Sequence, residues 1–209
     1  VTDEVNTLMQ DSAGLIWIGT TNNGVYTFDP DEEKFENFSK KNKLTPKTIN
    51  SITRMKNGNV AMGTTDGAMI YHPRTGKTTT ITTIEGLLHN NVQHVFTDKQ
   101  KRTWFSSHGA VPYYLKNDEF TYLKNIPDMK FYNINSVTQD NEGMIWIATE
   151  GDGVYSYNGG EFKNYKVNEG LLSNFCYFVI VDRNNTIWAG HKNGLSKKQV
   201  GEKVFKKFT

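Results

Sequence analysis

The chain has 209 residues with 24 Lys and Arg against 22 Asp and Glu, and a formal net charge of +2 offers no field able to capture nucleic acid or an acidic membrane surface. Hydrophobic residues make up 36%, aromatics 12%, and mean hydropathy is −0.60, which supports a packed core and excludes a contiguous apolar membrane span. The single cysteine, Cys176, excludes an internal disulfide and a thiolate zinc cluster.

The opening, Val1-Thr2-Asp3-Glu4-Val5, has neither an initiator Met nor a signal-type apolar segment and reads as a piece of a longer product. In chain order, five similar segments follow: Gly14-Leu15-Ile16-Trp17-Ile18-Gly19-Thr20, Gly58-Asn59-Val60-Ala61-Met62-Gly63-Thr64, Lys101-Arg102-Thr103-Trp104-Phe105-Ser106-Ser107, Gly143-Met144-Ile145-Trp146-Ile147-Ala148-Thr149 and Asn185-Thr186-Ile187-Trp188-Ala189-Gly190-His191. Their anchors at 17, 61, 104, 146 and 188 are spaced by 44, 43, 42 and 42 residues. Each unit predicts four short strands. The first runs over Val5 to Asp11, Ile49 to Met55, Val92 to Asp98, Ile134 to Asp140 and Cys176 to Asp182. The second carries the anchor, and the third opens at a glycine, as in Gly24-Val25-Tyr26-Thr27-Phe28 and Gly153-Val154-Tyr155-Ser156-Tyr157. The fourth holds a pair three apart: Phe35 and Phe38, Phe120 and Leu123, Phe162 and Tyr165, Phe205 and Phe208, weakened to Thr78 and Ile81 in the second unit.

Four strands in about 42 residues match a propeller blade, and no long amphipathic helical stretch competes. The predicted fold is therefore all-β, a β-propeller of five four-stranded antiparallel blades, partial or closed. The whole of 1–209 is one propeller segment, with blades at about 1–39, 45–83, 88–124, 130–166 and 172–209. A single sheet buries neither face alone, so the four tryptophans are expected between blades. Asp11-Ser12-Ala13-Gly14, Asp140-Asn141-Glu142-Gly143 and Asp182-Arg183-Asn184-Asn185 look like calcium-loop fragments, but each lacks the closing bidentate Glu and reads as a hairpin turn. No phosphate-loop glycine pattern opens a helix.

The composite Val-x-x-Ile-x-x-Asp-x-x-Gly-x-Ile-Trp-Ile-Gly-Thr-x-x-x-Gly-Val-x-x-Phe, read almost literally over Val5 to Phe28 and Ile134 to Tyr157, resembles the two-component regulator propeller repeat. The links Gly86-Leu87-Leu88-His89-Asn90 and Gly170-Leu171-Leu172-Ser173-Asn174 resemble it too, and the second and third units depart at Ala61 and at Lys101 to Ser107. The resemblance implies the extracytoplasmic, periplasmic sensor of a hybrid histidine kinase of the Bacteroidetes type, many of which recognise oligosaccharides. It further implies a segment without catalytic activity and with no cofactor, acting on a kinase elsewhere in the protein.

On a propeller, the turns between second and third strands share one rim with the links between blades, a common place for ligands. Here those turns vary, whereas the Asp-x-x-Gly turns opposite are monotonous. The candidate ligand-binding residues are Asn22, Asn23, Asp66, His108, Tyr132, Glu150, Asp152, His191, Lys192 and Asn193. Counting four from the anchors makes His108, Glu150 and Lys192 equivalent, with His191 adjacent. An alternative is therefore a propeller lyase or metal-dependent enzyme using His108, Glu150 and His191, although no HxH or HExxH spacing supports it. A third reading is a protein-interaction scaffold, because Phe131-Tyr132-Asn133 and Asn174-Phe175 suit a protein as well as a sugar. Expected partners are a small molecule or oligosaccharide, and further blades or another copy of the chain, without nucleic acid. Regular links with no special closing strand favour an open crescent whose end faces meet another copy.

Overall fold

The structure, a computed structural model, describes residues 3–127, 129–130 and 133–208. It consists of five four-stranded antiparallel sheets, the blades of a β-propeller, each ordered as its strands follow in sequence. Blade 1 comprises β1 (Val5–Gln10), β2 (Ile16–Thr20), β3 (Val25–Asp29) and β4 (Lys34–Asn37). Blade 2 comprises β5 (Ile49–Arg54), β6 (Val60–Thr64), β7 (Gly67–His72) and β8 (Lys77–Ile81). Blade 3 comprises β9 (Val92–Thr97), β10 (Thr103–Ser107), β11 (Tyr113–Lys116) and β12 (Glu119–Tyr122). Blade 4 comprises β13 (Ile134–Gln139), β14 (Ile145–Thr149), β15 (Val154–Tyr157) and β16 (Phe162–Tyr165). Blade 5 comprises β17 (Phe178–Val181), β18 (Thr186–His191), β19 (Gly194–Gln199) and β20 (Lys206–Phe208). The chain divides into two compact units, Val1–Thr97 and Asp98–Thr209.

Several predicted boundaries move: Leu123 falls just past β12 and Phe205 just before β20. Phe38 leaves the fourth strand to open the short helix α1 (Phe38–Lys41), because the Asn37 carboxamide accepts from the Lys40 backbone N–H at 2.7 Å and caps the turn. Its ring still reaches the core, 4.7 Å from Trp17, so the second aromatic of the pair acts as a plug. Cys176 and Tyr177 precede β17 instead of beginning it.

Three tryptophans, Trp17, Trp104 and Trp146, are buried as expected, whereas Trp188 is partly exposed. The reason for their recurrence is more specific than apolar area. Each hairpin aspartate uses one carboxylate oxygen on the two turn amides and the other on the indole six residues on. Asp140 Oδ1 accepts from Glu142 and Met144 N–H at 3.0 and 2.9 Å, and its Oδ2 accepts Trp146 Nε1–H at 2.9 Å. Asp11–Trp17, Asp98–Trp104 and Asp182–Trp188 repeat the contact at 2.9, 2.8 and 2.9 Å. Blade 2 lacks both members: Met55 replaces the aspartate and Ala61 the tryptophan.

Neighbouring blades meet through the tryptophan-bearing face of one and the opposite face of the next. Within the second unit, Trp146, Ala148 and Val154 of blade 4 pack on Val179, Ile187 and Ala189 of blade 5. Within the first, Trp17 and Val25 pack with Ile49, Ile52 and Met62. Gly19 permits this approach, since a Cβ there would sit 2.8 Å from Ile49 Cγ2. Polar clasps fix the spacing: Asn6 Nδ2 donates to the Ile49 carbonyl at 3.1 Å, Asn50 to Val92 at 2.9 Å, and Asn135 to Cys176 at 2.9 Å. Ser51 Oγ and Ser136 Oγ accept from the N–H of Val95 and Val179 at 3.2 and 2.7 Å.

Candidate functional site

The rim turn of each blade begins three residues after the anchor. In blades 1, 2 and 4 that residue is a buried threonine, Thr20, Thr64 or Thr149, whose hydroxyl donates to the carbonyl of Gly24, Gly67 or Gly153 at 2.9, 2.8 and 2.8 Å. Blade 5 places His191 there, and the larger side chain builds a different device. A carbonyl can only accept, so Nδ1, 3.0 Å from the Phe175 carbonyl oxygen, carries the proton. Nε2 then accepts from Ser196 Oγ at 2.9 Å, and Ser196 Oγ itself accepts from the Leu172 N–H at 2.9 Å. Burial pushes the imidazole below its ordinary value, opposed by the Phe175 bond, and keeps it neutral at pH 7. The chain from Leu172 through Ser196 and His191 to Phe175 ties the blade 4–5 link to β19.

A serine hydroxyl 2.9 Å from an imidazole resembles a nucleophile and its base. Yet Ser196 is fully buried, and both ring nitrogens of His191 are occupied. Cys176, whose Sγ lies 3.7 Å from Nδ1, is equally enclosed, and burial pushes its thiol up to about 12. These groups are struts.

What they support is a cleft of about 420 Å³ on the rim, lined by Leu172, Phe175, Tyr177, His191, Lys192 and Asn193. The volume suits a small molecule. Phe175 and Tyr177 expose 54% and 55% of their surface, large for aromatics on a rigid scaffold. Beside them stand an ammonium group and a carboxamide. Flat rings bordered by hydrogen-bonding groups match the apolar face and hydroxyl edge of a sugar ring.

The cleft brings three of the predicted residues together: His191 as strut, Lys192 and Asn193 as lining. Glu150 adjoins it through a backbone bridge to Phe175. Asp152 is buried, accepting from the Lys130 N–H at 2.7 Å and lying 3.8 Å from Lys166 Nζ, so its carboxylate organises the turn. His108 is exposed and donates from Nε2 to Asn135 Oδ1 at 3.3 Å. In the first unit, Asn22 and Asn23 close their own turn on Asp3. Asn22 donates from N–H and Nδ2 to that carboxylate at 2.8 and 3.0 Å, and Asn23 Nδ2 does so at 3.0 Å. Desolvation raises the Asp3 pKa, but the Asn22 bonds outweigh it and hold the group at about 2. Asp66 bonds through its backbone N–H to Thr64 Oγ1 at 3.0 Å and exposes its side chain. Tyr132 lies outside the described residues. Among the described residues, no group of three or more His, Cys, Asp or Glu side chains is placed to hold a metal ion.

Sequence reasoning named Phe175 only as a link aromatic suited to a sugar or a protein, and missed Leu172, Tyr177 and Ser196 as participants. The repeat carried one usable signal. The position three after the anchor is a threonine in three blades, so a histidine there belongs to the buried register and not to the loop.

A family model described as two component regulator propeller matches residues 1–22 and 128–151, the starts of blade 1 and blade 4. Those two stretches match the two-component regulator propeller repeat. Among curated proteins, none matches the sequence. Of solved structures, the extracellular domain of a hybrid two-component system from B. thetaiotaomicron superposes with a TM-score of 0.84 at 20% identity, covering 98% of this chain and 28% of that one. Virginiamycin B lyase from Staphylococcus aureus gives 0.77 at 12% identity, covering 98% and 69%. PorZ, a surface component of the type-IX secretion system of Porphyromonas gingivalis, gives 0.71 at 16%, covering 95% and 32%. This chain thus spans little more than a quarter of that hybrid-system chain, and at these identities the likeness is one of fold. Among the described residues, no helix is long and apolar enough to cross a membrane.

Proposed function

We propose that this propeller segment is the ligand-sensing part of a periplasmic two-component regulator, recognising an oligosaccharide or related small polar molecule and passing the signal to a histidine kinase without catalysing a reaction. The observation that carries the reading is the blade 5 cleft, where Phe175 and Tyr177 are held open beside Lys192 and Asn193 by the buried His191 strut. The family match supplies the regulatory context. The fold likeness to a lyase supports no enzyme reading here, because the Ser196, His191 and Cys176 side chains are enclosed and committed to one another and to the backbone.

A thermal-shift screen with neutral and acidic oligosaccharides tests it, since a ligand bound only by the folded state raises the melting temperature by mass action. We expect a saturable shift that Tyr177→Ala and Lys192→Ala abolish without lowering the unliganded melting temperature. A screen with no shift, or a shift that both variants retain, overturns the reading.

A further inference from the structure

Lys198 is 4% exposed, and a lysine is not what the repeat places at its position. It follows Lys197, the strand partner of the anchor Trp188, and the same count from Ala61 and Trp146 gives Tyr71 and Tyr157. Those rings pack on the tryptophan of the blade before, Tyr71 at 5.8 Å from Trp17 and Tyr157 at 6.4 Å from Trp104. Lys198 instead sets Nζ 5.4 Å from the centre of the Trp146 ring and 5.6 Å from that of Tyr165. A tyrosine would serve packing without burying a charge, and the two ring faces offset part of that cost. No carboxylate offsets the rest. Nζ donates to the Gln199 carbonyl at 3.3 Å and, among the described residues, makes no ion pair. Glu202 is taken by Lys206 and the Gln199 N–H, and Asp140 by its own turn and Trp146.

A second ammonium group enters the same groove from the opposite wall. Lys163 shares a row of blade 4 with Trp146 and Ser156, on the face that packs against blade 5, and its Nζ stands 4.8 Å from the centre of the same Tyr165 ring. Burial, and then the charge of Lys163, hold the Lys198 pKa below the ordinary lysine value. Beside them opens a cavity of about 220 Å³ whose lining includes Ser156, Asn158, Glu161, Lys163 and Tyr165. That is too small for a whole drug-sized ligand and enough for one oxyanion group. Asn158 Oδ1 accepts from the N–H of Gly160 and Glu161 at 3.0 and 2.8 Å, which leaves Nδ2 to donate. Glu161 sets one carboxylate in the lining against the two ammonium groups. Blade 1 forms the same cavity with the opposite chemistry. There about 190 Å³ is lined by Thr27, Asp29 and Glu36 at the positions of Ser156, Asn158 and Lys163, and Glu36 is paired with Lys41 at 2.8 Å. The scaffold makes the cavity in both places, and at blades 4 and 5 it is cationic with its cations uncommitted.

We propose that the groove between blades 4 and 5, beside β16, is a binding site for a small oxyanion, a sulfate or phosphate group free or carried on a sugar, held by Lys163 and Lys198 with Asn158 donating at its edge. The anion supplies the counter-charge that the buried ammonium lacks, and the Tyr165 ring forms the floor between the two lysines. Blades 4 and 5 provide both walls. None of these residues lines the rim cleft, so anion binding and the sensing function can fail separately.

Isothermal titration calorimetry on the whole chain at about 0.05 M ionic strength tests it, with sodium sulfate, glucose 6-phosphate and glucose as probes. At least one of the two anions should bind with 1:1 stoichiometry and glucose should give no heat; equal affinities assign the free ion, and a tighter glucose 6-phosphate assigns the ester. Lys198→Tyr, which installs the residue found at this position in blades 2 and 4, should weaken binding at least about tenfold without lowering the melting temperature. Lys163→Glu, which installs the charge of Glu36, should do the same, and because Lys163 is exposed it reads the site without disturbing the core. Lys192→Ala, in the rim cleft, should change nothing. A wild type that binds neither anion overturns the proposal, as does affinity within about threefold of wild type in either lysine variant. Loss of binding in Lys192→Ala also overturns it, since the anion would then sit in the rim cleft.

Discussion

Replacing Asp140 by alanine should destabilise the protein far more than the loss of one turn-forming side chain. The carboxylate is nearly inaccessible and accepts three hydrogen bonds: two from the Glu142 and Met144 amides of its own turn, one from the buried indole of Trp146. The turn amides are partly accessible and can recover water, so their share is about 1 kcal/mol. The indole N–H has no water to turn to, and leaving it unsatisfied costs about 2 kcal/mol, for a total near 3 kcal/mol. The assay is urea unfolding followed by far-ultraviolet circular dichroism, run as a double-mutant cycle with Trp146→Phe. Without an indole donor, Asp140→Ala should cost only the turn share of about 1 kcal/mol, giving a coupling of about 2 kcal/mol. An Asp140→Ala cost below about 0.5 kcal/mol, or equal costs in both backgrounds, would refute the clasp as the reason these two residues recur together.

Other consequences follow from the same geometry. Burial lowers the His191 pKa in the folded state, so the unfolded chain binds protons more readily below about pH 6.5 and stability falls as pH falls, by at most about 1.4 kcal/mol per pH unit. His191→Gln should flatten the stability curve between pH 6.5 and 5 relative to wild type, and a curve parallel to wild type would contradict the assignment; His94, pushed down to about 4 by desolvation, contributes a slope in both proteins. Gly153→Ala should cost more than Gly14→Ala in urea unfolding, because both have positive φ but only at Gly153 would a Cβ strike a backbone carbonyl, that of Tyr165. Equal losses would show that the φ penalty alone matters. Cys176 should resist Ellman's reagent at pH 8 in the folded protein and react fully in urea, given its enclosure and a thiol pushed to about 12; rapid reaction without denaturant would place the link open in solution.

The five blades were legible because their information is periodic. An alternation of two residues within strands and a recurrence near 42 between blades each restate the same constraint five times, so Ala61 in blade 2 does not obscure it. The Asp–Trp clasp was also written in the sequence, as a fixed separation of six and a joint absence in blade 2, but only a hydrogen-bond count on the folded turn gives that separation a cause. The cleft is a different kind of object. Phe175 and Tyr177 come from a link, Lys192 and Asn193 from a turn, and they share a rim because His191 reaches across to the Phe175 carbonyl while Ser196 holds Leu172. No spacing encodes that bridge. Counting four from each anchor selects an exposed or half-buried side chain of each rim turn and passes over the buried position just before it, where threonine changes to histidine. Where a repeat is held by packing, a residue that keeps to the register reports stability, and one that breaks it at a buried position, as His191 does, or at a clasp, as Tyr177 and Phe178 do, reports a demand that packing alone does not make. The breaks at Tyr177, Phe178 and His191 fall together in blade 5 and its link, where the candidate ligand cleft lies.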